Sequence, residues 1–354
     1  MKPQQVKPVI GICVGGRSGN RFNHVERLIG SRMERYSPAE ADLIVFHLND
    51  LNPERKSVTG LHCMKKGSSL VWERRTLRLP DAVFIQCHAD SKMVNRLEQA
   101  IGKKVYNNVF LDKWQCWKFL YDNPDFRPFL PISQNLVSVE SLESFYNEHK
   151  DVFIKPVRGS GGNGIVRVIA QKGKNTIKAI YHNHKKSRIR TFKEWNSIWN
   201  HFSLSPHSHM MQKSMKTVQW NGKPTDIRVN INKNGEGAWQ VSCLFFRVAL
   251  NGSHVGWGRG VHYMVMDPNW LLKEKIVREK SLSQIAGLGL SIGKCFDDQG
   301  YHMADLGIDF GLDRKGNPWI FEVNPLPSPF GPPILDQSWT SPIEYGVYLA
   351  RKHH

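Results

Sequence analysis

Short apolar runs alternate with polar, helix-capable segments along the N-terminal part of the chain. Val9–Val14, Leu43–Leu48 and Ala82–Gln86 have the length and the β-branched or aromatic content of strands. Asn23–Glu34 and Ser91–Ile101 read as helices between them. That alternation predicts an α/β arrangement with a parallel sheet. A second segment opens at Asp112-Lys113-Trp114 with a helix through Tyr121, and Pro124, Pro128 and Pro131 end it in a linker. A helix over Val139–His149, a strand at Val152–Lys155, a glycine-rich loop and a strand at Gly164–Ile169 come next. Residues 171–209 are polar, basic and histidine-bearing, and predict a mobile or surface-covering region. Strands resume at Met210–Lys213, Asp226–Ile231 and Ala238–Arg247. In Ser281–Phe296, Ile285, Leu288, Ile292 and Phe296 fall at helical spacing despite three glycines. A last hairpin pairs Ala304–Phe310 with Trp319–Val323 through a turn at Asp313–Asn317, and the proline-rich tail is expected to wrap the surface.

Composition narrows the class. The 354 residues suffice for one large domain or two to three smaller ones, with 40% hydrophobic and 23% charged residues. Six scattered cysteines without a Cys-x-x-Cys pair predict reduced thiols in a cytoplasmic protein, and argue against zinc. Val9–Val14 is too short for a signal-peptide core, and no apolar run approaches the roughly 20 residues of a membrane span. A soluble protein with no membrane partner is expected. The net charge of +18 is the unusual number. Such a field attracts polyanions: a nucleotide, an acidic peptide, nucleic acid or an anionic surface.

Two places carry chemistry. In Asp309-Phe-Gly-Leu followed by a turn and Phe321-Glu322-Val323-Asn324-Pro325, strand alternation sends Glu322 and Asn324 to one side. Asp309 on the partner strand can join them. Three hard oxygen donors then converge, and Mg²⁺ takes one or two carboxylates, completing its shell with phosphate and water. The alternative is a surface hairpin with solvated acids, but a same-face Glu and Asn inside an apolar strand call for a charge partner. The second place is Phe153-Ile154-Lys155-Pro156, followed by Gly159, Ser160, Gly161, Gly162 and Gly164. Glycines let backbone N–H groups approach phosphate oxygens, and Lys155 would meet phosphate as a point charge. No Gly-Lys-Ser/Thr follows, so this is no Walker loop; a glycine-rich turn beside a snorkelling lysine remains the alternative. The loop Gly15–Asn20 does not fit G-x-G-x-x-G and reads as a tight turn. His182, His184, His207 and His209 lack neighbouring cysteine or carboxylate partners, which disfavours metal. Lys185–Lys193 reads as a solvated loop able to guide an acidic substrate.

The order of these pieces resembles the ATP-grasp superfamily, and within it the YheC/YheD-like endospore coat-associated family. The resemblance spans Asn107 to Phe330 and rests on Asp112-Lys113-Trp114, Phe129-Leu-Pro-Ile, Ile154-Lys155-Pro156 with the glycine loop, Asp226-Ile-Arg228-Val, Arg247, and Leu306-Gly-Ile-Asp309 with Phe321-Glu-Val-Asn-Pro. It implies an N-terminal α/β domain over 1–106 and two ATP-grasp subdomains over 107–209 and 210–354, enclosing a nucleotide cleft. Lys113 and Lys155 look like nucleotide-binding lysines, and the loop from Gly159 to Gly164 like the flap that closes on phosphate. Met211, Gln212, Lys213 and Ser214 sit where the family's interdomain hinge holds adenine, through backbone groups plus an acidic or polar side chain. Asp309, Glu322 and Asn324 resemble ligands of one or two Mg²⁺ ions. Arg228 and Arg247 would steady a γ-phosphate or acylphosphate, although structural ion pairs, including one to Asp226, are an alternative. The implied activity is an ATP- and Mg²⁺-dependent joining of a carboxylate to an amine or, less often, a thiol. The rivals are a non-catalytic coat-associated protein and a nucleic-acid binder. The latter has only charge in its favour, so no specific nucleic-acid partner is expected.

Overall fold

A computed structural model of the chain describes residues 7–14, 41–66, 69–88, 90–159, 161–171, 173, 176–183, 186–250, 263–273, 277–327 and 336–352. The expected helix over Asn23–Glu34, the Gly15–Asn20 loop, Ser160 and His184 lie outside the described residues.

The first sheet contains β1 (Val9–Cys13), β2 (Asp42–Phe46), β3 (Leu51–Asn52), β4 (Ser57–Lys66), β5 (Ser69–Arg78), β6 (Ala82–Ile85) and β7 (Val105–Tyr106). Its order is β3-β4-β2-β1-β6-β7, with β5 on β4. β1 runs parallel to β2 and β6, and β6 parallel to β7. Every residue of β1 and β6 is buried, as a parallel sheet covered on both faces requires. The long antiparallel β4–β5 hairpin escapes the sequence pattern because charged residues interrupt its apolar alternation.

One cover is helix α1 (Ser91–Ile101), capped by Asp90, whose carboxylate accepts from Met93 N at 2.8 Å. Met93, Val94 and Leu97 pack it on Val9, Ile44 and Val83. Helix α2 (Lys113–Asp122) follows, started by a capping box between Asp112 and Gln115.

The second sheet is antiparallel: β8 (Ser133–Asn135), β9 (Asp151–Pro156), β10 (Val166–Ala170), β11 (Ile177–Asn183), β12 (Lys186–Phe192) and β13 (His209–Lys213), in the order β12-β11-β10-β9-β13-β8. Helices α3 (Val139–His149) and α4 (Trp195–His201) cover one face with Leu142, Phe145 and Ile198. The expectation of a surface-covering region over 171–209 is corrected here. Most of it is the β11–β12 hairpin and α4, because Ile177, Ala179, Phe192 and Ile198 alternate into this core between the basic residues.

The third sheet contains β14 (Gln219–Trp220), β15 (Lys223–Lys233), β16 (Trp239–Ala249), β17 (Tyr263–Met266), β18 (Asp305–Leu312) and β19 (Pro318–Asn324). β15 is central, between β16 and β18. After the short helix α5 (Pro268–Lys273), the long helix α6 (Glu279–Asp298) lies across this sheet. A Cβ at Gly293 would come within 2.7 Å of the Trp239 ring, so glycine there permits the close approach of helix to sheet.

The tail is also corrected. Residues 328–335 lie outside the described residues, but Ser341–Arg351 form helix α7, which is buried rather than wrapped outside. Ile343, Tyr345 and Val347 pack against Ile10, Ile12 and Phe84, so the chain's end closes the second face of its first sheet. Ile343 is fully buried, and Ile343→Ala should cost about 2–4 kcal/mol by lost transfer energy and cavity formation. Urea unfolding should show a lower midpoint with an unchanged slope.

Candidate functional site

Between the second and third sheets lies a cavity of about 930 Å³. The face of β9 turned away from α3 and α4 contributes Phe153 and Lys155, and β10 contributes Arg167. From the third sheet come Asp226 and Arg228 on β15, Arg247 on β16 and Asp309 on β18. β19 adds Glu322 and Asn324.

Register brings the charges together. Arg228 stands opposite Asp309, Asp226 opposite Arg247, and Asp309 opposite Glu322. The Asp309 Oδ1 atom lies 2.7 Å from Arg228 Nε in an ion pair and accepts from Arg247 Nη2 at 2.8 Å. Arg228 Nη2 reaches Oδ2 at 3.3 Å, and Arg247 Nε donates to Asp226 Oδ1 at 2.5 Å. The two expectations for the arginines are therefore joined: they line the cavity and they form buried ion pairs. Arg247 is 1% exposed, and its Nη1 has no hydrogen-bond partner among the described residues. A buried donor left over in a cavity wall is a seat for an oxyanion.

Burial alone would raise the Asp309 carboxyl, but the Arg228 and Arg247 guanidiniums outweigh it and hold the group below its usual range. Asp226 goes the other way: burial lifts it despite Arg247, and the Asp309 charge adds to the lift.

A β-bulge between Asp309 and Phe310 sets the ligand face of β19. Ile320 and Val323 are both buried although three positions apart, with Phe321 and Glu322 between them. Without the extra residue, Glu322 would share the face of Ile320 and point into the core. Gly307 has a related role. A Cβ there would overlap the Arg228 guanidinium and lie 2.8 Å from Pro327, so glycine clears the path from Arg228 to Asp309.

The two lysines arrive from different elements. Lys113 is the first residue of α2; its backbone N–H donates to Val157 O at 3.0 Å and its Nζ to Gly159 O at 2.6 Å. The same Nζ lies 3.4 Å from Glu322 Oε1, so Lys113 spans the cleft. Lys155 Nζ donates to Gln212 Oε1 at 2.5 Å, and Gln212 is tied in turn to Ser133 Oγ. Burial brings the Lys155 amine down to about 8, helped by Lys113 and opposed by Glu322 and Asp309. Gly159, Gly161 and Gly162 line the cavity in the left-handed region, with φ of +118°, +69° and +67°. Only glycine enters that region freely at three nearly adjacent positions.

Some expected residues stand elsewhere. The Met211 side chain is buried in the core under α3 and α4, and Gly164 packs against Pro156 outside the cavity wall. Gln212, Lys213 and Ser214 do line the cavity. So do Phe321, Lys216, Arg314 and Lys315, which sequence patterning does not single out. The signal for Phe321 is the Ile320-Phe321 apolar pair, which breaks strand alternation just before Glu322.

The donor set suits a hard divalent cation. Among the described residues Glu322 forms an ion pair only with Lys113, and Asp309 Oδ2 keeps a spare lone pair. With Asn324 these are two carboxylates and an amide oxygen, the sparse protein share that Mg²⁺ accepts when phosphate supplies the rest.

A mixed α/β chain whose two sheets clasp such a cleft has the ATP-grasp fold. The family model described as YheC/D like ATP-grasp matches residues 102–349, and the chain belongs to that family. It is 25% identical over 371 residues to the endospore coat-associated protein YheD of Bacillus subtilis (strain 168), covering 98% of this chain and 80% of YheD. The D-Ala:D-Ser ligase VanG from Enterococcus faecalis shares the fold at a TM-score of 0.57 and 13% identity, over 91% of each chain. The ATP-grasp ligase PsnB, solved with a phosphomimetic variant of its minimal precursor, Mg and ADP, matches at a TM-score of 0.51 and 16% identity, over 96% of this chain and 98% of PsnB.

The Lys155 amine offers a direct test of the cleft's electrostatics. Between about 8 and the ordinary 10.5, the folded state has released a proton that the unfolded state still holds. Stability must therefore rise with pH across that window. Relative to Lys155→Met, the wild-type chain should gain of order 1 kcal/mol per pH unit there and nothing below it, read by urea unfolding across pH.

Proposed function

We propose that this chain is a Mg·ATP-dependent ligase that joins a carboxylate to an amine, or less often a thiol, through an acylphosphate. The observation that carries the reading is one cavity with Lys113 and Lys155 facing Asp309, Glu322 and Asn324, and with Arg247 presenting a buried, unpaired N–H. Relatedness to the ATP-grasp ligases supports it at the level of fold.

Lys155, held by Gln212, and Lys113, held by Gly159, would take the nucleotide's phosphate charge, with the amides of Gly159, Gly161 and Gly162 beside them. Glu322, Asn324 and Asp309 Oδ2 would hold Mg²⁺. When bound, that ion offsets the charge that develops on the phosphate oxygens in transfer. Arg228 and Arg247 would orient the substrate carboxylate so that its oxygen meets the γ-phosphorus in line and ADP departs. The same guanidiniums then steady the acylphosphate until an amine adds to its carbonyl, loses a proton and displaces phosphate. Positioning and fixed charge carry this chemistry, which asks for little covalent work by the protein. Gln212, Lys213 and Ser214 would meet the base end of the nucleotide, with Phe321 as an apolar wall. The similarity to an endospore coat-associated protein favours a coat component as the place of action.

The test is ADP release by the purified chain with Mg·ATP, against pools of amino acids and acidic peptides. Turnover should appear with one pool and fall at least about a hundredfold in Glu322→Ala, a loss typical of removing a group that stabilises transferring charge. Lys155→Ala should weaken nucleotide binding about tenfold or more in calorimetry, as loss of a buried charge-assisted contact does. Asp309→Ala should retain nucleotide but lose Mg²⁺-dependent turnover. No turnover with any pool, together with unchanged nucleotide binding in Glu322→Ala, would sink the ligase reading.

A further inference from the structure

The segment from Gln171 to Lys193 carries eight Lys and Arg and no Asp or Glu. Its second half is β12, an outer strand of the second sheet, so among the described residues one side of its backbone meets no other strand. Lys186, Arg188 and Arg190 project on the face of the buried Phe192, and all three are exposed. No ion pair joins any of them to an acid among the described residues. Ile189 projects on the opposite face and is 62% exposed, the highest value among the large apolar side chains described.

That opposite face leads to the cavity. Ile189 stands across from Ile180, Ile180 from Arg167, Arg167 from Phe153, and Phe153 from Gln212. Phe153, Arg167 and Gln212 are cavity wall. At about 4.8 Å per strand, the β12 edge lies roughly 10 Å from Arg167 along one continuous row.

We propose that β12 is a docking edge for an extended acidic peptide segment, which pairs with its backbone and leads a peptide substrate into the cleft. An edge strand offers main-chain hydrogen bonds to a peptide, and alternate side chains set specificity. Here the alternate positions are cationic on one face and apolar at Ile189 on the other, matching a segment that alternates acidic and apolar residues. Arg167, further along the row, is held in a bidentate ion pair by Asp151, so the acidic preference rests on Lys186, Arg188 and Arg190 at the edge itself. Single-stranded nucleic acid is the poorer fit, because it needs exposed rings on which bases stack. Tyr181 instead packs on Phe202 and His201, and Phe192 is buried. The proposal rests on the ligase reading only in making the bound peptide a substrate.

The experiment is therefore a binding measurement without ATP. A labelled peptide of alternating Glu and Val, about ten residues long, is titrated with the full chain in fluorescence anisotropy at roughly 0.1 M salt. A thymidine oligonucleotide of matched charge is the second probe. The peptide should bind, and K186E/R188E/R190E should weaken it by at least about tenfold, as should Ile189→Asp. Nucleotide affinity in both variants should stay within about twofold of wild type. In the unmodified chain, the peptide should slow amide exchange over residues 186–192, a readout that does not depend on any variant folding. Unchanged binding in the triple variant, unchanged exchange over 186–192, or an oligonucleotide binding as tightly as the peptide overturns the proposal. Failure of ADP release would leave these binding results standing, and failure here would leave turnover standing.

Discussion

The charges gathered at Asp309 are the constraint on which the cleft depends. Asp226, Arg247, Asp309 and Arg228 alternate in sign across three neighbouring strands, and all are largely out of water. Stripping such groups of solvent costs several kcal/mol each unless partners and geometry are near ideal. The chain meets that cost by register: opposite charges sit directly across from each other, and Gly307 leaves the space through which Arg228 reaches. An apolar cluster of the same shape could stabilise the sheet as well. It could not present an unpaired Arg247 donor and a carboxylate lone pair to one cavity.

The cleft joins this charged floor to a wall from a different sheet. Lys113 bridges them, bonding Gly159 on one side and approaching Glu322 on the other. Its helix can start there because the Asp112 cap and the Lys113-to-Val157 backbone bond pin the first turn. Asn107 extends the tie. At a left-handed φ of +52°, its amide bonds Ala304 N, Asp305 N, Asp305 O and Pro325 O, using both donors and both acceptor sites. It thereby fixes the first sheet's last strand relative to the start of β18 and to the residue after Asn324.

Helix α7 completes the tie from the other end. Tyr106, next to Asn107, donates to Pro342 O at 2.6 Å and packs with Tyr345, so the chain's last helix closes over its first strands. β7 and α7 are thus held by a bond between residues more than two hundred positions apart. Local patterning carries no trace of such contacts, and α7, short and preceded by prolines, reads in isolation as a tail.

By itself the sequence determined the elements with strong local signals. Ser91–Ile101, the segment opening at Asp112 and Val139–His149 read as helices, and Ile285, Ile292 and Phe296 announce a buried helical stripe. The glycine loop and the Glu322-Val-Asn324 run were legible because their chemistry is written in adjacent residues. Tertiary structure decided what depends on distant neighbours. It turned the basic 171–193 stretch into an edge hairpin, since only the core under α3 and α4 reveals its alternating apolar face. It placed Met211 in that core and Gln212 beside Lys155, because strand alternation lets just one of two adjacent side chains face the cleft. It also joined the Asp309 carboxylate to two arginines from two other strands. Pairing of charges across a sheet is a property of register, and register is set by the whole fold.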